Sequence, residues 1–119
     1  MNALIIIMTV IQESSNSITV HGNVGESVSA VLNISGLSLI TCIISSDNSL
    51  TGNSYDVHVS NDGHTFHYFR SVQMQGTLIT NSFNPTNAGV FGSILSFNHV
   101  KIEVPAVPNV TSQLIISAR

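Results

Sequence analysis

Residues Ser54–Arg70, SYDVHVSNDGHTFHYFR, read as a single β-hairpin, and that reading decides the fold class. Two alternating runs flank Asp62-Gly63, a dipeptide suited to a two-residue type I′ turn because both central positions need positive φ. With that turn, Val59 opposes Phe66 and Val57 opposes Tyr68. Tyr55, Val57, Val59, Phe66 and Tyr68 then share one face, with Asp56, His58, Ser60, Thr65, His67 and Phe69 on the other. Only Phe69 departs from a clean division of apolar from polar. A three-residue loop with a glycine bulge would instead put His67 opposite Val57 and exchange the faces, because side chains alternate with period two. The pattern favours the two-residue turn and predicts that the five apolar residues enter the core.

The same alternation runs outward in both directions. Leu37–Ile44 is apolar on both faces, as a central strand would be, and Ser27–Ile34 turns Val28, Ala30, Leu32 and Ile34 inward. Ser17–His21 turns Ile18 and Val20 inward, and Gly22-Asn23 and Gly25 supply turn chemistry. After the hairpin, Ser71–Thr80 offers a strand interrupted at Gly76, and Asn81–Gly92 is irregular. Ser93–Val104 brings Val100, Ile102 and Val104 inward, and Pro105 and Pro108 prevent it from continuing as a ladder. Thr111–Ala118 closes the chain with Leu114 and Ile116 on one side. Period two fits residues 28–44 better than 3.6. About eight short strands and no significant helix predict an all-β protein, an antiparallel β-sandwich of jelly-roll type.

Ala3–Ile11 (ALIIIMTVI) is the most hydrophobic run. It is too short to span a bilayer, and with no basic residue before it and no small-residue cleavage site after it, it is not read as a signal peptide. Its Ile, Val and Thr content favours a strand buried on both faces. Two readings compete: a core strand of this domain, or an arm that joins a neighbouring subunit through Leu4, Ile5, Ile6, Ile7, Val10 and Ile11, with Gln12–Asn16 as hinge. Residues 1–11 are thus an N-terminal strand or arm, and 12–119 a single sandwich domain large enough for a core without staples.

Charged residues are only 8% of the 119, while Ser, Asn and Thr together make up about a third. Three cations, Arg70, Lys101 and Arg119, within a net charge of −3 leave little to neutralise phosphates, so a nucleic-acid partner is not expected. A surface of hydroxyls and amides suits a protein packed against copies of itself or a larger assembly. The single cysteine, Cys42, excludes an internal disulfide and reads as a small buried hydrophobe. There is no G-x-S-x-G elbow, and the six acids are dispersed, so neither a catalytic residue nor a cofactor is assigned. In the type I′ register His58 and His67 face one another with Asp56 on the same face. These are zinc-ligand residue types without a third firm ligand, and no metal is assigned. Tyr55, Phe66 and Tyr68 are claimed by the core, Phe69 is left on the polar face, and Phe83, Phe91 and Phe97 fall in or beside the irregular segment; without tryptophan, a sugar-stacking platform has weak support.

Tyr55, Val57, Ser60, Asp62 and Gly63, with Phe66 where tryptophan is usual, resemble the hairpin Y-x-V-x-x-S-x-D-G-x-x-W of discoidin-like and other carbohydrate-binding sandwiches. Asn98–Val104 (NHVKIEV) resembles the strand that often reads Y-V-R-L in the same proteins, with His99 and Lys101 replacing Tyr and Arg. The same two elements occur in small bacteriophage virion proteins, including head decoration and tail-associated sandwiches. The resemblance covers about a quarter of the chain and implies a fold; the matching positions are structural, and no binding residue is carried over. Together with the low charge, it leads to the expectation of a structural virion protein. This would be a phage capsid decoration (cement) protein, made in the host cytoplasm and located on the capsid exterior. It would form a homo-oligomer, a trimer favoured, and bridge copies of the major capsid protein, with no membrane partner. The alternative is a tail-associated host-recognition or carbohydrate-binding module, with a glycan as partner.

Overall fold

The alternating runs become nine strands in the computed structural model, which describes residues 8–14, 17–37, 39–83 and 97–119. They are β1 (Met8–Ser14), β2 (Ser17–Gly22), β3 (Val28–Asn33), β4 (Ile40–Ser46), β5 (Ser54–Ser60), β6 (His67–Gln73), β7 (Leu78–Phe83), β8 (His99–Val104) and β9 (Ser112–Ala118). Among the described residues there is no helix. One sheet has the order β1-β2-β9-β4-β7 and the other β3-β8-β5-β6, with every pairing antiparallel. The protein is therefore an antiparallel β-sandwich.

Burial follows the period-two pattern strand by strand. Val20, Ile40, Cys42, Ile44, Leu114 and Ile116 of the five-stranded sheet meet Val28, Leu32, Tyr55, Val57, Val100 and Ile102 of the four-stranded one, all within one core. Tyr55 heads the largest fully buried side chains, and its hydroxyl accepts a hydrogen bond from Asn81 Nδ2 at 2.7 Å. That bond lets a phenol sit in the core without an orphaned polar atom. Burial pushes the Cys42 thiol up to about 12, which removes it as a thiolate nucleophile.

The hairpin departs from the expected register at its tip. The expected two-residue turn is replaced by a longer loop: the β5–β6 ladder ends at the pair Val59↔His67, leaving Ser60–Phe66 between them. The cause is local hydrogen bonding that competes with the ladder. Ser60 Oγ accepts from the N–H of Asp62 (3.2 Å) and of Gly63 (2.9 Å), and Asp62 Oδ1 accepts from the N–H of His64 and of Thr65, both at 2.8 Å. Four backbone donors are thereby satisfied inside the loop. Gly63 has φ +78°, and a Cβ there would lie 2.9 Å from His99 Nε2, so both conformation and space demand glycine.

A second departure lies two residues into β6. The register shifts between Val57, which opposes Arg70, and His58, which opposes Tyr68, so Phe69 is an extra residue on the edge strand. The predicted core face is therefore right for Tyr55, Val57 and Val59, all buried, and wrong for Phe66 and Tyr68. Tyr68 is 62% exposed, Phe66 is half-buried outside the core, and Phe69, expected on the polar face, packs against the core. The longer loop exchanges the faces of β6 at His67 and Tyr68, and the bulge at Phe69 restores the expected alternation from Arg70 onward, so Ser71 faces outward beside Asp56 while β5 is untouched.

At the N-terminus, Met8–Ser14 pairs with β2 in its own sheet, from Met8↔Gly22 to Ser14↔Ser17, with a bulge between Val10 and Gln12 that takes up Ile11. Leu4, Ile5, Ile6 and Ile7 lie outside the described residues.

Candidate functional site

The outer face of the four-stranded sheet is where polar chemistry gathers. Inward burial of Ala30, Ile102 and Val57 turns the alternate residues of β3, β8 and β5 outward. The register lines them up in two rows. One runs Ser29, Glu103, Asp56, Ser71, and the next Val31, Lys101, His58, Tyr68. Four strands at a spacing of about 4.8 Å make a platform roughly 14 Å across.

Tyr68 stands at the rim with its ring exposed but its hydroxyl anchored. The Tyr68 hydroxyl and Ser71 Oγ are hydrogen-bonded at 2.9 Å, and Ser71 Oγ donates to Asp56 Oδ1 at 2.5 Å. The His58 ring meets Tyr68 edge to face, with centroids 5.8 Å apart and planes at 73°. These contacts hold the aromatic ring in place, so a ligand laid on it loses less side-chain freedom than it would on a loose residue. Beside it, Lys101 Nζ lies 5.2 Å from the centre of the Phe66 ring, a cation–π contact that fixes the one ammonium of this face.

Asp56 and Glu103 are direct cross-strand partners, two carboxylates side by side. His58 Nε2 lies 3.2 Å from Glu103 Oε1, yet it is buried and not aligned for a hydrogen bond with it. One ligand atom from each of Asp56, His58 and Glu103 falls within 4.8 Å of the others. The expected facing pair of His58 and His67 is not formed: the longer loop brings Tyr68 opposite His58 and leaves His67 exposed, opposite Val59. Asp56 was correctly placed on the His58 face by sequence, whereas Glu103, Lys101, Tyr68 and Phe66 were missed as members of it. The available signal was the S-x-D-G spacing itself, since a serine and an aspartate so placed can absorb the loop's N–H groups and lengthen the turn.

The other outer face, on the five-stranded sheet, has a different chemistry. Ser17, Ser117, Thr41 and Ser82 form a row of hydroxyls across β2, β9, β4 and β7, with Thr41 Oγ1 and Ser82 Oγ 3.3 Å apart. The next row is Thr19, Ile115, Ile43 and Thr80. Neither row contains a charge or an aromatic ring.

No protein-family model matches the chain, and no curated protein matches it. Among the solved structures with a similar outline are carbohydrate-binding modules. A mutant of a family 29 carbohydrate binding module is 10% identical with a TM-score of 0.48, the match covering 94% of this chain and 76% of that one. A CBM29-2 mutant complexed with cellulohexaose is 8% identical with a TM-score of 0.49, covering 94% and 75%. CpGH89CBM32-5 from Clostridium perfringens, in complex with GalNAc-beta-1,3-galactose, is 25% identical with a TM-score of 0.39, covering 86% and 65%. At these values no binding residue carries across from them.

Proposed function

We propose that this protein is a carbohydrate-binding domain whose ligand surface is the outer face of the β3-β8-β5-β6 sheet. The observation that carries the reading is Tyr68: an aromatic ring 62% exposed on the outer face of the sheet, locked through Ser71 to a carboxylate. A sugar ring presents axial C–H groups on one face and hydroxyls round its edge. The first suit the electron-rich face of an aromatic ring, and the second suit charged hydrogen-bonding partners. Tyr68 supplies the former. Asp56 and Glu103 accept from hydroxyls, and Lys101 donates. Binding of this kind requires no bond-making residue.

The test is a glycan array probed with the purified chain and with Tyr68→Ala. Saturable binding to a defined set of glycans, lost in the variant, supports the reading. Binding that survives the substitution sinks this face as the ligand surface.

A second reading, the structural virion protein, is favoured by the uncharged hydroxyl rows of the five-stranded sheet. Those rows could pack against a coat subunit, or against another copy of the chain, without desolvating a charge of their own, Arg119 lying beside the first row. We keep with it a location on the capsid exterior and the Leu4–Ile7 arm as proposals. Co-sedimentation with expanded capsids tests it, and failure to pellet with them at any ratio counts against it.

A further inference from the structure

We propose that Asp56, His58 and Glu103 form a binding site for a borderline divalent cation, zinc being the best fit. Asp56 and Glu103 are directly opposed on β5 and β8, and like charges so placed repel unless something positive lies between them. His58 lies two residues along β5 on the same face and brings an imidazole to the same point. The three donor atoms lie within 4.8 Å of one another. Around a tetrahedral ion with bonds of 2.0–2.2 Å, neighbouring donors sit about 3.4 Å apart, so a small rotamer adjustment closes the set.

The decisive observation is the relation of His58 to Glu103. Their atoms Nε2 and Oε1 are 3.2 Å apart, within ion-pair reach if the imidazole is protonated and close to a ligand–ligand edge, with no hydrogen bond aligned between them. Nε2 is buried and has no other hydrogen-bond partner, so a polar atom that should be satisfied is left aimed into the cluster. Two donors that approach without facing one another are arranged for a third body. The surroundings also fit: Ser71 donates to one oxygen of Asp56 and is itself held by Tyr68, which orients the carboxylate as outer partners of metal ligands do. An imidazole with only two carboxylates favours zinc over calcium, which takes six to eight oxygens.

The inference does not rest on sugar binding, and its test uses the metal alone. The untagged chain, stripped with chelator, is titrated with zinc chloride by calorimetry, with Asp56→Asn, His58→Gln, Glu103→Gln and His67→Gln alongside. Circular dichroism confirms that each variant is folded. One zinc per chain is expected, with at least tenfold weaker binding in His58→Gln and Glu103→Gln, unchanged binding in His67→Gln, and no heat from calcium. If His58→Gln fails to fold, Asp56→Asn and Glu103→Gln carry the test, since both sites are on the outer face and keep side-chain shape. Absence of zinc binding by the wild-type chain overturns the proposal, as does binding unaffected in all ligand variants. Equal loss in His67→Gln overturns it too, because it would mark scattered surface histidines as the source.

Discussion

β5 and β6 are the two halves of one hairpin, and they obey different rules. β5 lies between β8 and β6 and alternates without exception from Ser54 to Val59, with Tyr55, Val57 and Val59 in the core. β6 is the sheet edge, carries a bulge at Phe69, and buries none of its seven residues fully. A central strand is held in register by ladders on both sides and by the core beneath it, and a slip would expose its whole apolar face. An edge strand has one ladder, and one extra residue there costs little. The hairpin thus presents a strand that specifies the fold and a strand free to present chemistry.

That contrast predicts unequal costs for similar substitutions. Tyr55→Ala should cost about 3–5 kcal/mol, because it empties a fully buried site and orphans the Asn81 amide. Urea denaturation measures it, and a loss below about 1 kcal/mol would mean that β5 does not anchor the core. Gly63→Val should cost roughly 1–3 kcal/mol for forcing a β-branched residue to positive φ, with a further penalty from contact with the His99 ring. A wild-type midpoint in this variant would show that neither the positive φ of Gly63 nor its packing on His99 constrains the loop. Phe66→Ala should cost about 1 kcal/mol, the loss of a half-buried ring and its Lys101 contact rather than a core cavity. A cost of 3 kcal/mol or more would restore Phe66 to the core. Tyr68→Ala, chemically the same change as Tyr55→Ala, should alter stability by no more than about 0.5 kcal/mol.

The loop between the two strands adds a pH dependence. Asp62 accepts N–H bonds from Thr65 and His64 and an O–H bond from Ser60, which hold its carboxyl well below the ordinary value of 3.8. A carboxyl lowered in the folded state stabilises the protein above 3.8, and this contribution is lost as the pH falls from there through the depressed value. Asp62→Asn should therefore be less stable than wild type at neutral pH, with the gap narrowing below pH 4. A gap that stays constant down to pH 2 would show that the charge of Asp62 contributes nothing.

What could be read from the sequence follows how fully a strand buries one face rather than whether it is central. Strands β2, β3, β5, β8 and β9 showed their inward residues in the sequence because burial imposed period two on them, although β3 is a sheet edge; β4, apolar on both faces, showed only that it is central. Val100, Ile102, Leu114 and Ile116 are where the alternation put them. β6 defeated the same reasoning: Phe66 and Tyr68 were assigned inward because they are aromatic, whereas nothing forces an edge strand to bury them. Asp62-Gly63 matched a two-residue turn, and the deciding bonds came from Ser60 and Asp62 side chains, which a dipeptide rule does not weigh. Glu103 could not be joined to Asp56 and His58 without knowing that β8 pairs with β5, a contact between residues more than forty apart in the chain.

The most direct test of the sheet face is a two-dimensional amide spectrum of the labelled chain, recorded while the strongest glycan from the array is added. Shifts should concentrate on Tyr68, Ser71, Asp56, His58, Lys101 and Glu103, in an arc across β6, β5 and β8. Perturbations confined to Thr41, Ile43, Ile115 and Ser117 on the opposite sheet, with Tyr68 and Asp56 unmoved, would contradict it.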